Sequence, residues 1–342
     1  MLKFEGHVPI YKKLIDFYRN KIVTQELKPG SKIDSINKMI SRHQVSRETA
    51  KRVIKALIEE KLVVSQVGRG TFVHNVTEPI KVWGVVIPFY SNNNEQLISE
   101  LLIKANAAGR KMEYFLHYNN PDEEMRTIGQ LIQKGYEAII VVPNYDESLT
   151  GEFYRRLSAG STKIVLADYT MSGSYFKYAI QSYDLGVKRA VDYLAQKQDG
   201  NYLLLRHENW QGRNMVFNLM KETFEMILDL KYSHRKLFYC ADIDELTKDY
   251  FKENCITGVL SVQDSIAIRL IGRIKSWGMS IPDDVSIVSY GNTELTKLFN
   301  PALTVVDCKY EKMAESISEL ICNKNVKNQQ VVIQPELIIR ET

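Results

Sequence analysis

The side chains of this chain that could do chemistry fall into two groups along the sequence. In the first 75 residues, Ser35, Ser46, Arg47, Thr49, Lys51 and Arg69 are of the types that meet phosphates and base edges. Further on, short apolar runs end in polar and aromatic residues: Pro88-Phe89-Tyr90-Ser91, Asp168, Gln263-Asp264 and Tyr290-Gly291-Asn292. Carboxylates and amides give hydroxyls bidentate hydrogen bonds and rings cover apolar C–H faces, so together they suit a sugar. Singly, Asp264 reads equally as an N-cap and Asp168 as a turn former. Other chemistries lack their residues. Cys240, Cys255, Cys308 and Cys322 form no CxxC pair and no zinc-finger spacing, and read as small buried hydrophobes. The six histidines are scattered without HExxH, and GxSxG, GxxxxGK[ST] and GxGxxG are absent from the sequence. No cofactor and no metal are expected.

The elements that hold the first group are readable from periodicity. Ile10, Leu14, Phe17, Tyr18 and Ile22 recur at helical spacing, and Pro29-Gly30 predicts a stop near Leu27. Ser35 is the expected N-cap of a short helix carrying Ile36, Met39 and Ile40, and Ser46 that of the next. The latter helix turns Val53, Ile54, Leu57 and Ile58 inward and Arg47, Thr49, Lys51, Arg52 and Lys55 outward. Leu62–Val64 and Thr71–Val73 read as strands around the tight turn Gln66-Val67-Gly68-Arg69-Gly70. Three helices and a hairpin make a winged helix-turn-helix over residues 1–75. Its charge agrees: 15 Lys and Arg stand against 7 Asp and Glu there, a net +8, whereas the remainder carries 30 against 34. A basic head on a mildly acidic body points to a polyanion or to a well-solvated surface, and the helical layout favours the former. The capped helix N-termini can receive phosphate oxygens, the outward helix can enter a major groove, and Arg69 with Gly70 at the hairpin tip can reach a minor groove.

The stretch LKPGSKIDSINKMISRHQVSRETAKRVIKALIEEKLVVSQVGRGTFV resembles the DNA-binding domain of GntR-type regulators. The resemblance implies that Asn37 occupies the position of a family arginine that contacts the operator, and that Asp34 replaces the usual proline. A different operator sequence follows. A lone winged helix touches few phosphates, so a homodimer on palindromic double-stranded DNA is expected.

The second group sits in a body of residues 82–342, after a linker at 76–81. Apolar runs at Val82–Ile87, Tyr114–Leu116, Ala138–Val142, Ile164–Ala167, Tyr202–Leu205, Leu237–Tyr239, Gly258–Val262 and Val285–Ser289 alternate with helical segments. Helices are expected at Gln96–Ala108, Glu123–Lys134, Leu185–Gln196 and Ile266–Trp277. Unbroken Val/Ile/Leu runs separated by helices imply parallel sheets covered on both faces. At this length two such lobes are expected, giving an α/β class with ligands at the strand ends. Hydrophobic residues at 44% and charged residues at 25% are ordinary for a globular chain, and no apolar run reaches the length of a membrane helix. The N-terminus lacks the apolar region of a signal peptide, so a cytoplasmic setting is expected.

The stretch GVLSVQDSIAIRLIGRIKSWGMSIPDDVSIVSYGNTELTKLFNPALTVVD resembles the ligand-binding core of LacI/GalR-type repressors and periplasmic sugar-binding proteins. The resemblance implies a two-lobed fold. Carried over by position, it implies ligand contacts from Asp168, Arg213, Gln263, Asp264 and Tyr310, with Gly291 and Asn292 where the family has two aspartates. It further implies discontinuous lobes, about 80–180 with 309–322 and about 181–308 with 323–342. A GntR-type head on a LacI-type body is similar to the arabinose-repressor class. The implied function is a regulator released from its operator by a sugar or sugar derivative. The rival readings are an enzyme, which in an aminotransferase-like body needs a marked Schiff-base lysine, and a plain sugar-binding protein with a basic head.

Overall fold

The computed structural model describes residues 9–24, 26–74, 80–157, 163–173, 175–206, 214–323 and 329–342. The head contains α1 (Ile10–Val23), α2 (Ile36–His43), α3 (Arg47–Glu59), β1 (Val63–Gln66) and β2 (Gly70–Val73). β1 and β2 pair antiparallel, with Val63 opposite Val73 and Gln66 opposite Gly70. α1 ends at Val23, four residues before the expected stop, where the Thr24 hydroxyl donates to the Asn20 carbonyl and competes with the next turn. Both expected N-caps form: Lys38 N donates to Ser35 Oγ at 3.3 Å and Thr49 N to Ser46 Oγ at 3.1 Å. The head core gathers Leu14, Tyr18, Met39, Val53, Leu57 and Val73. Ala50 rather than Ile58 completes the inward face of α3, and Ile58 is exposed.

After the head come β3 (Ile80–Ile87), α4 (Asn92–Ala107), β4 (Lys111–Leu116), α5 (Pro121–Lys134), β5 (Tyr136–Val141), α6 (Glu147–Leu157), β6 (Lys163–Asp168) and β7 (Lys177–Gln181). Then follow α7 (Tyr183–Lys197), β8 (Asn201–Leu205), α8 (Met215–Lys231), β9 (Leu237–Cys240), α9 (Lys248–Glu253), β10 (Ile256–Ser261), α10 (Asp264–Ser276) and β11 (Ser286–Tyr290). α11 (Glu294–Leu298), β12 (Thr304–Asp307), α12 (Tyr310–Cys322), β13 (Gln330–Ile333) and β14 (Glu336–Ile338) complete the chain. Each of the eight apolar runs is a strand. The first one begins at Ile80, inside the expected linker, whose residues 76–79 lie outside the described residues.

Two six-stranded sheets form, in the orders β13-β7-β6-β5-β3-β4 and β14-β12-β11-β10-β8-β9. β13 and β7, β6 and β5, β5 and β3, and β3 and β4 pair parallel in the first sheet, as do β12, β11, β10, β8 and β9 in the second, but β14 runs antiparallel to β12, a correction to the expected parallel sheets. The final crossing also differs from expectation. β13 joins the sheet of β3 and β14 the other, so the chain returns between Ile333 and Glu336 rather than after Cys322. The central strands are apolar on both faces: Val85, Val86, Ile139, Ile140, Leu203 and Val259 are fully buried. Cys240 and Cys308 are buried as expected, but Cys255 and Cys322 are exposed. No described helix is long and apolar enough to cross a membrane.

The chain divides into two compact units. One holds the described parts of residues 1–88, 105–166 and 170–177, the other those of 89–104, 167–169 and 178–342.

Candidate functional site

The head presents a polar face built on α2, α3 and the hairpin. Ser35, Asn37, Ser46, Arg47, Lys51 and Arg69 are exposed, and Thr49 and Gly70 partly so. The Ser46 and Thr49 hydroxyls bond each other at 2.9 Å, and Lys51 pairs with Glu48 at 2.9 Å. The Arg52 guanidinium lies 3.6 Å from the centre of the Tyr11 ring, which holds it beside Lys51 and Lys55 on one shallow surface. Arg69 sits in the β1–β2 turn, closed by its amide to the Gln66 carbonyl at 3.0 Å. Gly68 and Gly70 on either side have positive φ, as a tight turn requires.

Asp34, which precedes the α2 cap, is buried and works as a hub. It accepts from Tyr18 Oη at 2.9 Å and Arg42 Nη1 at 2.7 Å, and Lys38 Nζ lies 3.0 Å away. Burial pushes its carboxyl up, but bonds from Arg42, Lys38 and Tyr18 outweigh that and hold it below the usual range. His43 Nε2 meets the same Tyr18 hydroxyl at 3.1 Å. Asp34 thus ties α1 to α2.

The polar strand ends of the second group fall in the second compact unit. Asp264 is fully buried, and as the first residue of α10 it does not cap its own helix, which settles the N-cap alternative. Its Oδ2 accepts from Thr293 Oγ1 at 2.9 Å and Thr293 N at 3.3 Å, while Oδ1 has no partner. Burial pushes this carboxyl up to about 6 despite the Thr293 bonds, the Ser289 hydroxyl and the charge of Arg340. A Cβ built on Gly291 would lie 2.7 Å from Asn93 Oδ1 and 2.9 Å from each Asp264 oxygen. With φ at +112°, that position admits glycine alone, and the oxygens of Asn93 and Asp264 fill the space a side chain would need. Asn93 Oδ1 is likewise buried without a partner.

Asp168, closing β6 with φ at +70°, forms a second cluster. Its Oδ2 accepts from Tyr183 Oη at 2.9 Å and its Oδ1 from Gln181 Nε2, leaving Gln181 Oε1 buried and unpartnered. Burial raises the Asp168 carboxyl above its usual value. The Tyr183 ring stacks on Tyr290 at 5.9 Å. The buried Cys308 thiol is pushed up by burial first and then by Asp168, Asp307 and Asp264, so all three carboxylates act on one point. Asn292 accepts from Arg340 Nη2 at 2.6 Å and donates to Asp307 Oδ2 at 3.3 Å. Asn292 and Tyr310 line an open groove of about 700 Å³ with Glu95, Thr293, Asp307 and Lys309, a volume suited to a small molecule.

The structure sets Asn292 and Tyr310 along one groove, Asp264 against Thr293 of that groove, and Asp168 against Tyr183, whose ring stacks on Tyr290. Gln263 holds the N-cap position of α10, where its carbonyl accepts from Ser261 Oγ at 2.9 Å. Tyr90 is exposed after β3. Arg213 lies outside the described residues. Asn93, Gln181, Tyr183 and Arg340 were missed. Asn93 stands in a run of three asparagines, residues 92–94, and nothing local distinguishes it from its neighbours; the other three gain meaning only through partners distant in sequence.

Residues 10–73 match the family model for bacterial regulatory proteins of the gntR family, and residues 219–342 that for a periplasmic binding protein-like domain. Over nearly its whole length the chain is similar to two curated proteins named arabinose metabolism transcriptional repressor. The one from Halalkalibacterium halodurans is 21% identical, covering 95% of this chain and 94% of that protein. The one from Geobacillus stearothermophilus is also 21% identical, covering 99% and 98%. Among solved structures, a periplasmic binding protein/LacI transcriptional regulator from Alkaliphilus metalliredigens, complexed with D-xylulofuranose, superposes with a TM-score of 0.64 at 19% identity. That match covers 77% of this chain and 98% of the other. A LacI family regulator from Weissella paramesenteroides with bound sucrose gives 0.62 at 18% identity, covering 76% and 97%.

Proposed function

We propose that this chain, a gntR-family winged helix-turn-helix carried on a periplasmic-binding-protein-like body, is a transcriptional repressor that binds operator DNA as a homodimer and is released by a small sugar or sugar derivative. The observation that carries the sensor half is a buried set of acceptors short of donors. Asp264 Oδ1, Asn93 Oδ1 and Gln181 Oε1 are each enclosed without a partner. Buried acceptors are costly until donors arrive, and a polyol brings several hydroxyls at once. The full-length relatives named as arabinose repressors, and the sugars bound in two structural neighbours, support the same reading.

In this account Asp264, Asp168 and Asn292 accept ligand hydroxyls. Tyr90 and Tyr310 supply ring faces, and Gln263 and Arg213 complete the polar contacts. On the DNA side Arg47 reads a base edge. Ser35 and Ser46 offer helix amides to phosphate, and Asn37, Thr49 and Lys51 line the groove. Arg69 with Gly70 enters the adjacent minor groove. The protein works on DNA in the cytoplasm and binds its effector without turning it over.

A thermal-shift screen of monosaccharides and sugar phosphates tests the sensor. A ligand at a hundred times its dissociation constant stabilises the native state by about 2.7 kcal/mol. At least one sugar is expected to shift the parent and not Asp264→Asn. Hydroxyls donate better to a carboxylate than to a carboxylic acid, so affinity for that sugar falls as the pH drops through about 6. A panel without a stabilising member, or consumption of the sugar that binds, contradicts the reading.

A further inference from the structure

Val23, the last residue of α1, is 2% exposed, yet it is not among the residues that form the head's own core. What covers it is α5 of the body, in the same compact unit. At the contact α5 carries Gly129, inside the helix, where glycine is the weakest helix former after proline. A Cβ built on Gly129 would lie 2.6 Å from Val23 Cγ2 and 3.8 Å from Val23 Cβ. Any side chain there would strike Val23, so the bare backbone of α5 is the socket into which the valine fits. At the rim, Arg156 of α6 lies 3.7 Å from Glu26, which also pairs with Lys21 at 3.2 Å.

α1 is therefore held on two sides, by α3 within the head and by α5 of the body. The face that carries Ser35, Asn37, Arg47, Lys51 and Arg69 stays exposed in this arrangement. We propose that the winged helix is seated on the body through the Val23–Gly129 contact as one body with α5, and that the seated head keeps its reading face open. A displacement of α5 then carries the recognition helix with it, in addition to whatever the connecting segment transmits. The seat stands on the contact itself; only the open reading face rests on the proposed DNA function.

The Cβ–Cβ separation of 3.8 Å falls at the mean for disulfides, so the seat can be trapped. The full chain carrying Val23→Cys and Gly129→Cys, with the exposed thiols removed by Cys255→Ser and Cys322→Ser, should cross-link almost completely under mild oxidation. A control with Lys12→Cys and Gly129→Cys on a Val23→Ala background, which removes the atom that a side chain at 129 would strike, should stay reduced. Equal yields in the two, in protein that unfolds as cooperatively as the parent, would overturn the seat. Should the double variant fail to fold, hydrogen exchange on Val23→Ser decides instead: amides around Gly129 should exchange faster than in the parent, and unchanged exchange would overturn the seat. The oxidised and reduced forms should bind a labelled random-sequence duplex within about twofold of each other. A loss of about tenfold or more on oxidation, restored by reductant, would show that the seat blocks the reading face. If neither form binds duplex DNA, the DNA function fails while the cross-link still decides the seat.

Discussion

Glu124 is a carboxyl with no access to solvent, held between the Asn144 amide, 3.1 Å from each of its oxygens, and the Tyr154 hydroxyl. Burial pushes it up to about 8 despite those bonds. The unfolded chain releases this proton near the ordinary carboxylate value and the folded chain keeps it to about pH 8. Between those limits the native state binds more protons, so stability falls as pH rises, by up to about 1.4 kcal/mol per pH unit from this group. The imidazole of His117, whose Nε2 lies 3.2 Å from the Val142 carbonyl, is pushed down to about 4 by burial and stays neutral above that, leaving the upper part of the window to Glu124. Denaturant melts of the parent and Glu124→Gln between pH 6.5 and 8 should diverge, the variant losing the downward slope; parallel lines would show that Glu124 is ionised in the fold. Asp34 makes the opposite case, a buried acid kept charged by Arg42 and Lys38. Asp34→Ala leaves the Tyr18 hydroxyl with His43 alone and takes the carboxylate from Arg42, and should destabilise the head by about 1–3 kcal/mol, read as a lower melting temperature of the winged helix. None of this was legible in the sequence. Asp34 stands out only as a departure from the GntR-type proline, and Tyr18 lies sixteen residues before it on another helix. Gly291 likewise looks like a lost carboxylate until the oxygens of Asn93 and Asp264 are found occupying its side-chain space.

At the scale of elements, the sequence spoke clearly wherever period and cap agreed. The serine caps of α2 and α3, the Gly-flanked hairpin and the eight apolar strands are local signals, and each formed. The short strands β7 and β12 and the edge strands β13 and β14 lie outside those runs. Gln330–Ile333 and Lys177–Gln181 each hold only three consecutive apolar residues, too short a run to stand out, and their pairing with each other across about 150 residues of chain makes them strands. The recognition helix gives the element-scale prediction. Arg47 is exposed at its first turn, where a side chain meets base edges in a groove. Arg47→Ala should cost about 1–3 kcal/mol on the operator and relax specificity there. An equal loss on operator and random duplex, with a salt slope smaller by about one, would assign it to phosphate instead. Unchanged operator affinity in the folded variant would remove it from the interface.

At the scale of the whole molecule, the head carries the positive charge and the body the slight negative excess, so DNA is drawn to one end of the chain. One head covers few phosphates, and two heads related by a two-fold axis match an inverted repeat, so sedimentation at micromolar concentration should show a dimer with and without DNA. Monomer throughout would refute that assembly. Coupling between effector and operator requires only that the ligand bind one body conformation better than another, by about 1–3 kcal/mol. Because that coupling is reciprocal, operator DNA must weaken sugar binding by the same factor.

The most direct test of this account is a titration on DNA. An operator duplex, selected by the purified chain from a randomised pool and labelled, is held in complex while the sugar that stabilises the protein is added. The account predicts that operator affinity falls by about 5- to 150-fold at saturation and that Asp264→Asn, still bound to the duplex, does not respond. An unchanged affinity at saturating sugar would contradict it, and so would a sugar that tightens the complex.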